Sequence, residues 1–139
     1  MSSLIGTEVN VLLIDNQQRL FSRSSFLPEL RKKFLLDQVS CMAAFDRMGG
    51  LQLFRTFEID IVVIASCQPE LLRTMILEME RESPGVVVLV AGEEHDHARV
   101  DRILRETGCR WIIMGPGGMI PSVREIELQV RAIKLKLRN

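Results

Sequence analysis

Apolar runs of strand length alternate with segments of helical periodicity along the chain. Five short runs are rich in β-branched and other apolar residues, and polar residues, glycine or proline bound each of them. These runs predict strands over residues 9–14, 35–40, 60–65, 86–91 and 110–114. The intervening segments repeat apolar residues every three or four positions, which predicts helices over 19–34, 47–57, 69–83, 96–107 and about 122–138.

Proline and serine define three of the predicted helix boundaries. Pro28 is expected to kink or split the helix over 19–34, because proline lacks a backbone donor and clashes with the preceding turn. Pro69 suits the first turn of its helix, where a missing N–H needs no partner. Ser122 and Glu125 match a capping box, in which each side chain accepts a hydrogen bond from the other residue's backbone N–H. That pattern predicts that the last helix begins at Ser122.

The alternation of strands and helices predicts an α/β fold. Five strands separated by helices are typical of a parallel sheet that is covered on both faces. We therefore expect a doubly wound sheet in one domain over residues 1–139. In such open sheets, ligands bind beyond the carboxyl ends of the strands. The positions to inspect are Asp15-Asn16, Ala65-Ser66-Cys67, Ala91-Gly92-Glu93 and Gly115-Pro116-Gly117.

Charge and cysteine usage narrow the function class. The chain of 139 residues carries 18 basic and 18 acidic side chains, so no net field attracts nucleic acid to it. Its three cysteines are far apart and lack metal-ligand spacing, which predicts reduced thiols, no structural zinc and a cytoplasmic location. No run approaches the roughly 18 apolar residues of a membrane span. We therefore expect a soluble domain that by itself binds neither nucleic acid nor a membrane.

Four segments carry a resemblance to a known family. They are Val11–Asn16, Asp60–Ala65 with Pro69 beyond it, Val88–Ala91, and Gly108–Pro116. In residue type and spacing they resemble the receiver domain of bacterial response regulators over nearly the whole chain. The resemblance implies a flavodoxin-like sheet with strand order 2-1-3-4-5. It also implies a phosphorylation site at the carboxyl edge of that sheet.

In that family, two acids after the first strand bind a divalent cation, and an aspartate that ends the third strand accepts a phosphoryl group. A threonine or serine ends the fourth strand, and a lysine precedes the second proline. Here Asp15 matches the first acid, but Asn16 stands at the second, Ala65 at the phosphoacceptor, Val90 at the hydroxyl and Gly115 at the lysine. The resemblance therefore implies a degenerate pocket made of Asp15, Asn16, Ala65, Ser66, Val90 and Gly115.

This residue set predicts a domain that is not phosphorylated at its third strand. Phosphoryl transfer needs a hard cation held by several oxygens and a positive charge opposite the transferred group. An alanine methyl cannot accept phosphate, and one carboxylate beside an amide is a poor magnesium site. We therefore expect no catalytic residue, no metal and no cofactor at this edge.

A second interpretation makes the chain a small enzyme or an anion-binding domain. Cys67, His95 and Asp15 would lie near one sheet edge, and a thiol, an imidazole and an acid together are typical of nucleophilic catalysis. The simpler alternative is that Cys67 is a small buried hydrophobe and Ser66 a turn residue. The loop over 115–118 can offer backbone N–H groups to an anion, but a turn formed by glycine and proline explains it as well.

The segment from Gly92 to His97 also has two interpretations. Two imidazoles and three carboxylates within six residues can ligate a transition metal. Polar residues also crowd the loop before a helix, with Asp96 as a natural N-cap. We favour the solvated loop.

The last helix carries two apolar stripes. Val123, Ile126, Val130, Ile133 and Leu137 recur at intervals of three and four, whereas Leu128 and Leu135 form a second stripe. One stripe can pack on the sheet, and the other then faces a partner, or both belong to one broad buried face. Receiver-like domains commonly dimerise through helix 4, strand 5 and helix 5, and Trp111 is expected near that face.

The preferred interpretation is an atypical receiver domain of two-component-like signal transduction that acts through protein contact. The expected partner is a second copy or another protein, bound at a face that includes Trp111, Leu128 and Leu135. The last helix extends in this reading as a dimerisation or linker helix. A related interpretation connects the domain to a transcriptional output module outside this chain.

Overall fold

The structure is a computed structural model that describes residues 9–15, 26–34, 38–65, 67–113 and 119–138. Its strands are β1 (Val9–Ile14), β2 (Val39–Ala44), β3 (Ile61–Ala65), β4 (Val87–Gly92) and β5 (Arg110–Ile113). Its α-helices are α1 (Phe26–Lys33), α2 (Arg47–Thr56), α3 (Pro69–Glu82), α4 (His97–Thr107) and α5 (Met119–Arg138). A short 3₁₀ helix, Glu94–Asp96, connects β4 to α4. No helix in these ranges is long and apolar enough to cross a membrane.

The five strands form one parallel sheet in the order β2-β1-β3-β4-β5. This order confirms the predicted doubly wound, flavodoxin-like fold. The first three strands are in close register, with Leu12 opposite both Met42 and Val62. Most residues of β1, β3 and β4 are buried, as expected for central parallel strands that are covered on both faces.

Two apolar clusters pack against the sheet, one on each face. On one face, Leu30 of α1 and Ile126 and Val130 of α5 pack against alternate residues of the strands. On the other face, α2, α3 and α4 cover the remaining strand residues, among them Leu12 and Val90. Since successive strand side chains point to opposite faces, each strand contributes to both clusters.

Helix α2 lies very close to β1, and a glycine makes this possible. A Cβ added to Gly50 would lie 2.7 Å from Cδ1 of Ile14, inside van der Waals contact. At the start of the same helix, the carboxylate of Asp46 accepts a hydrogen bond of 2.5 Å from the N–H of Gly49. The close approach and the N-cap offset the low helix propensity of the two glycines.

Two predicted boundaries are wrong. The second strand covers Val39–Ala44 and not 35–40, because its pairing with β1 runs from Val39 opposite Val9 to Ala44 opposite Ile14. Residues 35–37 lie outside the described residues. The last helix begins at Met119, three residues before the predicted start.

Ser122 therefore lies inside α5 and not at the N-terminal boundary where it was predicted. The carboxylate of Glu125 instead accepts a hydrogen bond of 3.0 Å from Nη1 of Arg110 on β5. In α1, Pro28 is the third residue of the helix, where the missing N–H is tolerated. Residues 19–25 of the predicted first helix lie outside the described residues.

Candidate functional site

The carboxyl edge of the sheet brings Asp15 and Ala65 to neighbouring strands. Ile14 pairs with Ile64, so the residues that follow them, Asp15 and Ala65, are adjacent at the edge. The backbone N–H of Asp15 donates to the carbonyl of Ala44 at 3.0 Å and extends the β1–β2 ladder by one residue. Asp15 is 1 % exposed and Ala65 is 3 % exposed. The edge is therefore tightly packed where the resemblance implies a phosphoacceptor.

The residue beside Ala65 on β4 is Ala91. The two alanines pair in the β3–β4 register and belong to the same apolar cluster. Val90 pairs with Ile64 and packs in the cluster on the opposite face of the sheet. The structure thus does not bring the side chain of Val90 into the space next to Ala65, and the side chain that shares this face is the methyl group of Ala91.

Three residues of the predicted degenerate pocket, Asn16, Ser66 and Gly115, lie outside the described residues, as does the loop over 115–118. In the part of the pocket that the structure describes, Asp15 supplies one carboxylate, and Ala65 and Ala91 supply methyl groups. The described residues contain no group of three histidine, cysteine or acidic side chains that could hold a metal ion. This part of the edge contains one carboxylate and, on β3, no side chain that can accept a phosphoryl group.

The segment after β4 is held by a buried carboxylate. Oδ2 of Asp96 accepts a hydrogen bond of 3.1 Å from the N–H of Glu93, which closes the 3₁₀ helix. The imidazole of His95 lies 3.5 Å from Oε2 of Glu93 and 3.6 Å from Oδ1 of Asp96. The side chains of Glu93, Glu94, His95 and His97 are exposed. Asp96 precedes α4 as predicted, but its side chain caps the 3₁₀ helix and makes no capping bond to α4.

The thiols have the environment of core residues. Cys67 is 1 % exposed and packs in the cluster beneath α2, α3 and α4. His95, its predicted catalytic base, has an exposed imidazole. Burial raises the pKa of Cys41 to about 11, against a smaller opposing effect of Arg31, and burial also raises the pKa of Cys109. Raised pKa values keep thiols protonated and weakly nucleophilic. The burial of Cys67 and the exposure of His95 favour the simpler interpretation of Cys67.

Desolvation also affects an acid at the opposite edge of the sheet. The carboxylate of Asp60 accepts a hydrogen bond of 2.8 Å from the N–H of Asn10. Partial burial raises the pKa of Asp60, the hydrogen bond from Asn10 opposes the shift, and Glu58 adds to it. The backbone N–H of Asp60 in turn donates to the carbonyl of Asn10 at 2.9 Å. Asp60 therefore joins the amino ends of β1 and β3, far from the edge where ligands bind.

The predicted interaction residues lie on β5 and α5. Trp111 is half-buried, and its ring meets that of His97 edge-on, with centroids 5.2 Å apart and an angle of 60°. On α5, Ile126 and Val130 are buried, whereas Leu128 is 50 % exposed and Leu135 is 60 % exposed. Val123 and Ile133 are half-buried against the core, and the side chain of Leu137 lies outside the described residues. The two stripes of the helix thus lie in different environments.

The sequence alone did not show how the glutamates of α5 are oriented. Glu125 is paired with Arg110 of β5, and Glu127 lies 3.5 Å from Nζ of Lys33 in α1. Oε2 of Glu127 also lies 3.3 Å from Nη2 of Arg131, one turn further along α5. Only this last pair has the spacing of four residues that a sequence can reveal. The other two partners come from distant segments.

Comparisons with known proteins place this geometry in a structural class. No protein-family model matches the chain, and no curated protein matches it. Solved structures do match, among them the Francisella response regulator 1452 receiver domain, with 15 % identity, a TM-score of 0.65, and coverage of 91 % of this chain and 99 % of that one.

A response regulator receiver domain protein from Clostridium thermocellum has 18 % identity and a TM-score of 0.66, and the match covers 91 % of this chain and 98 % of that one. The signal receiver domain of an HD domain-containing protein from Pseudomonas fluorescens Pf-5 also has 18 % identity and a TM-score of 0.66, covering 94 % and 98 %. At these identities the likeness concerns the fold. The chain has the fold of response-regulator receiver domains.

Proposed function

We propose that this domain transmits signals in a two-component-like pathway through protein contact, without aspartyl phosphorylation. The observation that carries the proposal is the methyl group of Ala65 at the end of β3, beside Asp15 and Ala91. The proposal includes a cytoplasmic location. It also includes contact with a second copy, a partner protein or an output module.

The packing of the carboxyl edge supports the absence of phosphorylation. A phosphoryl group on β3 needs an oxygen nucleophile and a cation held by several oxygens. Ala65 has no oxygen in its side chain, and Ala91, its neighbour on the same face, has none either. The buried carboxylate of Asp15 is one ligand where a hard cation takes six or more. Among the described residues of this edge, Asp15 is therefore the one group of the kind that such a transfer uses.

The surface of α5 supports a function in protein contact. Burying a leucine side chain contributes roughly 1.5–3 kcal/mol relative to leaving it in water. Leu128 and Leu135 forgo about half of that contribution, since each is at least half exposed. Two such residues on one side of a helix are typical of a surface that another protein covers.

A phosphodonor experiment tests the proposal. The chain is incubated with acetyl phosphate and magnesium, and its intact mass is measured alongside a receiver domain that carries an aspartate at the end of β3. We expect the second domain to gain one phosphoryl group and this chain to gain none. Binding of beryllofluoride, monitored by backbone NMR, gives an independent measurement. A mass gain that maps to Asp15 or to the segment after Ala65 would overturn the proposal.

A further inference from the structure

The solvent side of α5 has an unusual composition. Among the α5 side chains that the structure describes, residues 123–136, the exposed ones are Arg124, Leu128, Arg131, Ala132, Leu135 and Lys136. This set, the outer face of α5, contains three basic and three apolar residues. Both glutamates of the segment, Glu125 and Glu127, are half-buried. The outer face is therefore apolar along its centre and positive at its margins.

The orientation of the glutamates follows from their partners. Glu125 is held by Arg110 at 3.0 Å, and Glu127 by Lys33 at 3.5 Å and Arg131 at 3.3 Å. Each carboxylate is thus already occupied by cations of this chain. On helix α4, which packs on the other face of the sheet, Asp101 is likewise paired with Arg105 at 2.6 Å. Of the outer-face cations, Arg131 shares Glu127 with Lys33, whereas no acid among the described residues lies within ion-pair distance of Arg124 or Lys136.

The spacing of the apolar residues fits a helix. Leu128, Ala132 and Leu135 follow each other at intervals of four and three. This is the spacing of the apolar residues along the seam between two packed helices. Ala132 is small and lies between the two leucines, so the axis of a second helix can approach closely there. Two turns of α5 separate the leucines, about 10 Å along the helix axis. A short amphipathic helix is long enough to cover this distance.

We propose that the outer face of α5 binds an acidic amphipathic helix of a partner protein. The leucines of α5 pack against the apolar stripe of that helix, and Arg124, Arg131 and Lys136 pair with its flanking glutamates or aspartates. This inference rests on the proposed function, because it names the class of partner for the same surface.

Charge distinguishes this partner from a second copy. Two α5 helices packed through Leu128 and Leu135 would bring the same three cations of each chain together, without an exposed acid on either face to pair with them. Like charges in facing positions disfavour a pairing and select against the wrong partner. An acidic helix meets the opposite sign at each of these positions.

An anionic membrane surface is a less suitable ligand. Helices that lie in the interface bury a wide apolar face that often includes Trp or Phe. The opposite face of α5 is fixed on the sheet by Ile126 and Val130, so among the described side chains of the helix only Leu128, Ala132 and Leu135 are apolar and exposed enough to enter lipid. That is a narrow apolar surface for stable binding.

The test uses two synthetic peptides of roughly 20 residues, a length at which an isolated helix can form. Both have leucines at the two core positions of each heptad, and the flanking positions are glutamates in one peptide and lysines in the other. We expect the acidic peptide to bind at least about tenfold more tightly than the basic one, as measured by fluorescence anisotropy. The preference is expected to weaken as salt is added.

Variants then locate the binding surface. Leu128→Glu and Leu135→Glu are each expected to weaken binding of the acidic peptide by about tenfold or more. The matched control is Leu77→Glu, because Leu77 is an apolar residue of α3 with a similar exposure, 43 %, outside the outer face. The double variant Arg124→Glu with Arg131→Glu is expected to prefer the basic peptide.

Three results would overturn the inference. The first is that both peptides bind equally tightly, or that neither binds at a peptide concentration of about 1 mM. The second is a dimer in analytical ultracentrifugation that Leu128→Glu dissociates, which would leave the proposed function intact but make the partner a second copy. The third is sedimentation with phosphatidylglycerol vesicles without peptide binding. A phosphoryl mass gain, by contrast, would overturn the proposed function and leave the peptide result standing.

Discussion

The carboxyl edge of the sheet and the outer face of α5 differ in a way that separates stability from function. At the edge, Asp15, Ala65 and Ala91 are almost completely buried, so their side chains serve packing. On the outer face, Leu128 and Leu135 are exposed and contribute little to the core. A receiver fold usually has its chemistry at the first region. In the described part of the first region, the methyl groups of Ala65 and Ala91 lie beside one carboxylate, and the second region offers the surface that packing does not explain.

The largest expected effect compares two residues of the same helix. Ile126→Ala is expected to lower the free energy of unfolding by about 3 kcal/mol, because it leaves a cavity under α5. Leu128→Ala is expected to change it by less than about 0.5 kcal/mol. Urea unfolding followed by circular dichroism measures both. Equal losses would mean that Leu128 belongs to the core, and the contrast between the two stripes would fail.

The next effect is a pH dependence from the buried side of the sheet. Cys41 has a pKa of about 11 in the folded chain, whereas an unfolded thiol titrates near 8.5–9. The folded chain therefore holds this proton more tightly, so the stabilisation is complete below about pH 8.5 and is lost as the pH rises to about 11. We expect a loss of about 2 kcal/mol across this range.

The variant Cys41→Ala isolates this contribution, since other groups also titrate above pH 9. The difference between the two proteins in unfolding free energy should shrink as the pH rises. A difference that stays constant from pH 8 to pH 11 would show that the thiol does not titrate differently in the folded and unfolded chains.

A smaller effect tests how tightly α2 packs beside the carboxyl edge. Gly50→Ala places a Cβ 2.7 Å from Cδ1 of Ile14 unless that side chain moves. Overpacking costs about 1–3 kcal/mol, and the better helix propensity of alanine returns up to about 1 kcal/mol, so we expect a net loss of about 1 kcal/mol. Ile14→Val removes Cδ1. In thermal unfolding, the double variant should therefore lose less than the two single variants together.

The smallest effect concerns the ion pair that orients Glu125. Arg110→Ala is expected to cost no more than about 0.5 kcal/mol, because the arginine side chain is mostly exposed and water screens the pair. Binding of the acidic peptide gives the more sensitive measurement. Once Glu125 loses its cationic partner, it keeps the hydrogen bond from Gln129, but its negative charge beside the outer face is no longer neutralised, and the acidic peptide should bind more weakly. Unchanged binding would mean that the orientation of Glu125 does not matter.

The fold could be predicted from the sequence where burial determines the pattern. β1 was predicted with its observed bounds, because Val9–Ile14 is a central strand in which five of six residues are apolar. β2 was displaced, because it is an edge strand of mostly small residues whose position depends on pairing with β1. The start of α5 was missed for a related reason. The serine pattern at residue 122 fits an N-cap locally, but the helix continues through it.

The candidate site was predictable in residue type and less so in geometry. The alanine that ends β3 follows directly from the spacing, and the structure places it beside Asp15. Val90 was predicted at the hydroxyl position of the degenerate pocket, and it lies one residue before Ala91, the pairing partner of Ala65. Because successive strand side chains point to opposite faces, the side chain that shares the face of Ala65 is that of Ala91. The partners of Glu125 and Glu127 depend on tertiary packing and have no local signal.

The edge-on contact of His97 with Trp111 gives the domain a built-in optical reporter. Trp111 is the chain's one tryptophan, and the chain has no tyrosine. The near-ultraviolet emission of the protein therefore comes from a single indole at the junction of β5 and α4. A molecule that covers this junction alters the emission, whereas one that covers only distant surfaces leaves it unchanged, so the site of binding can be read without a label.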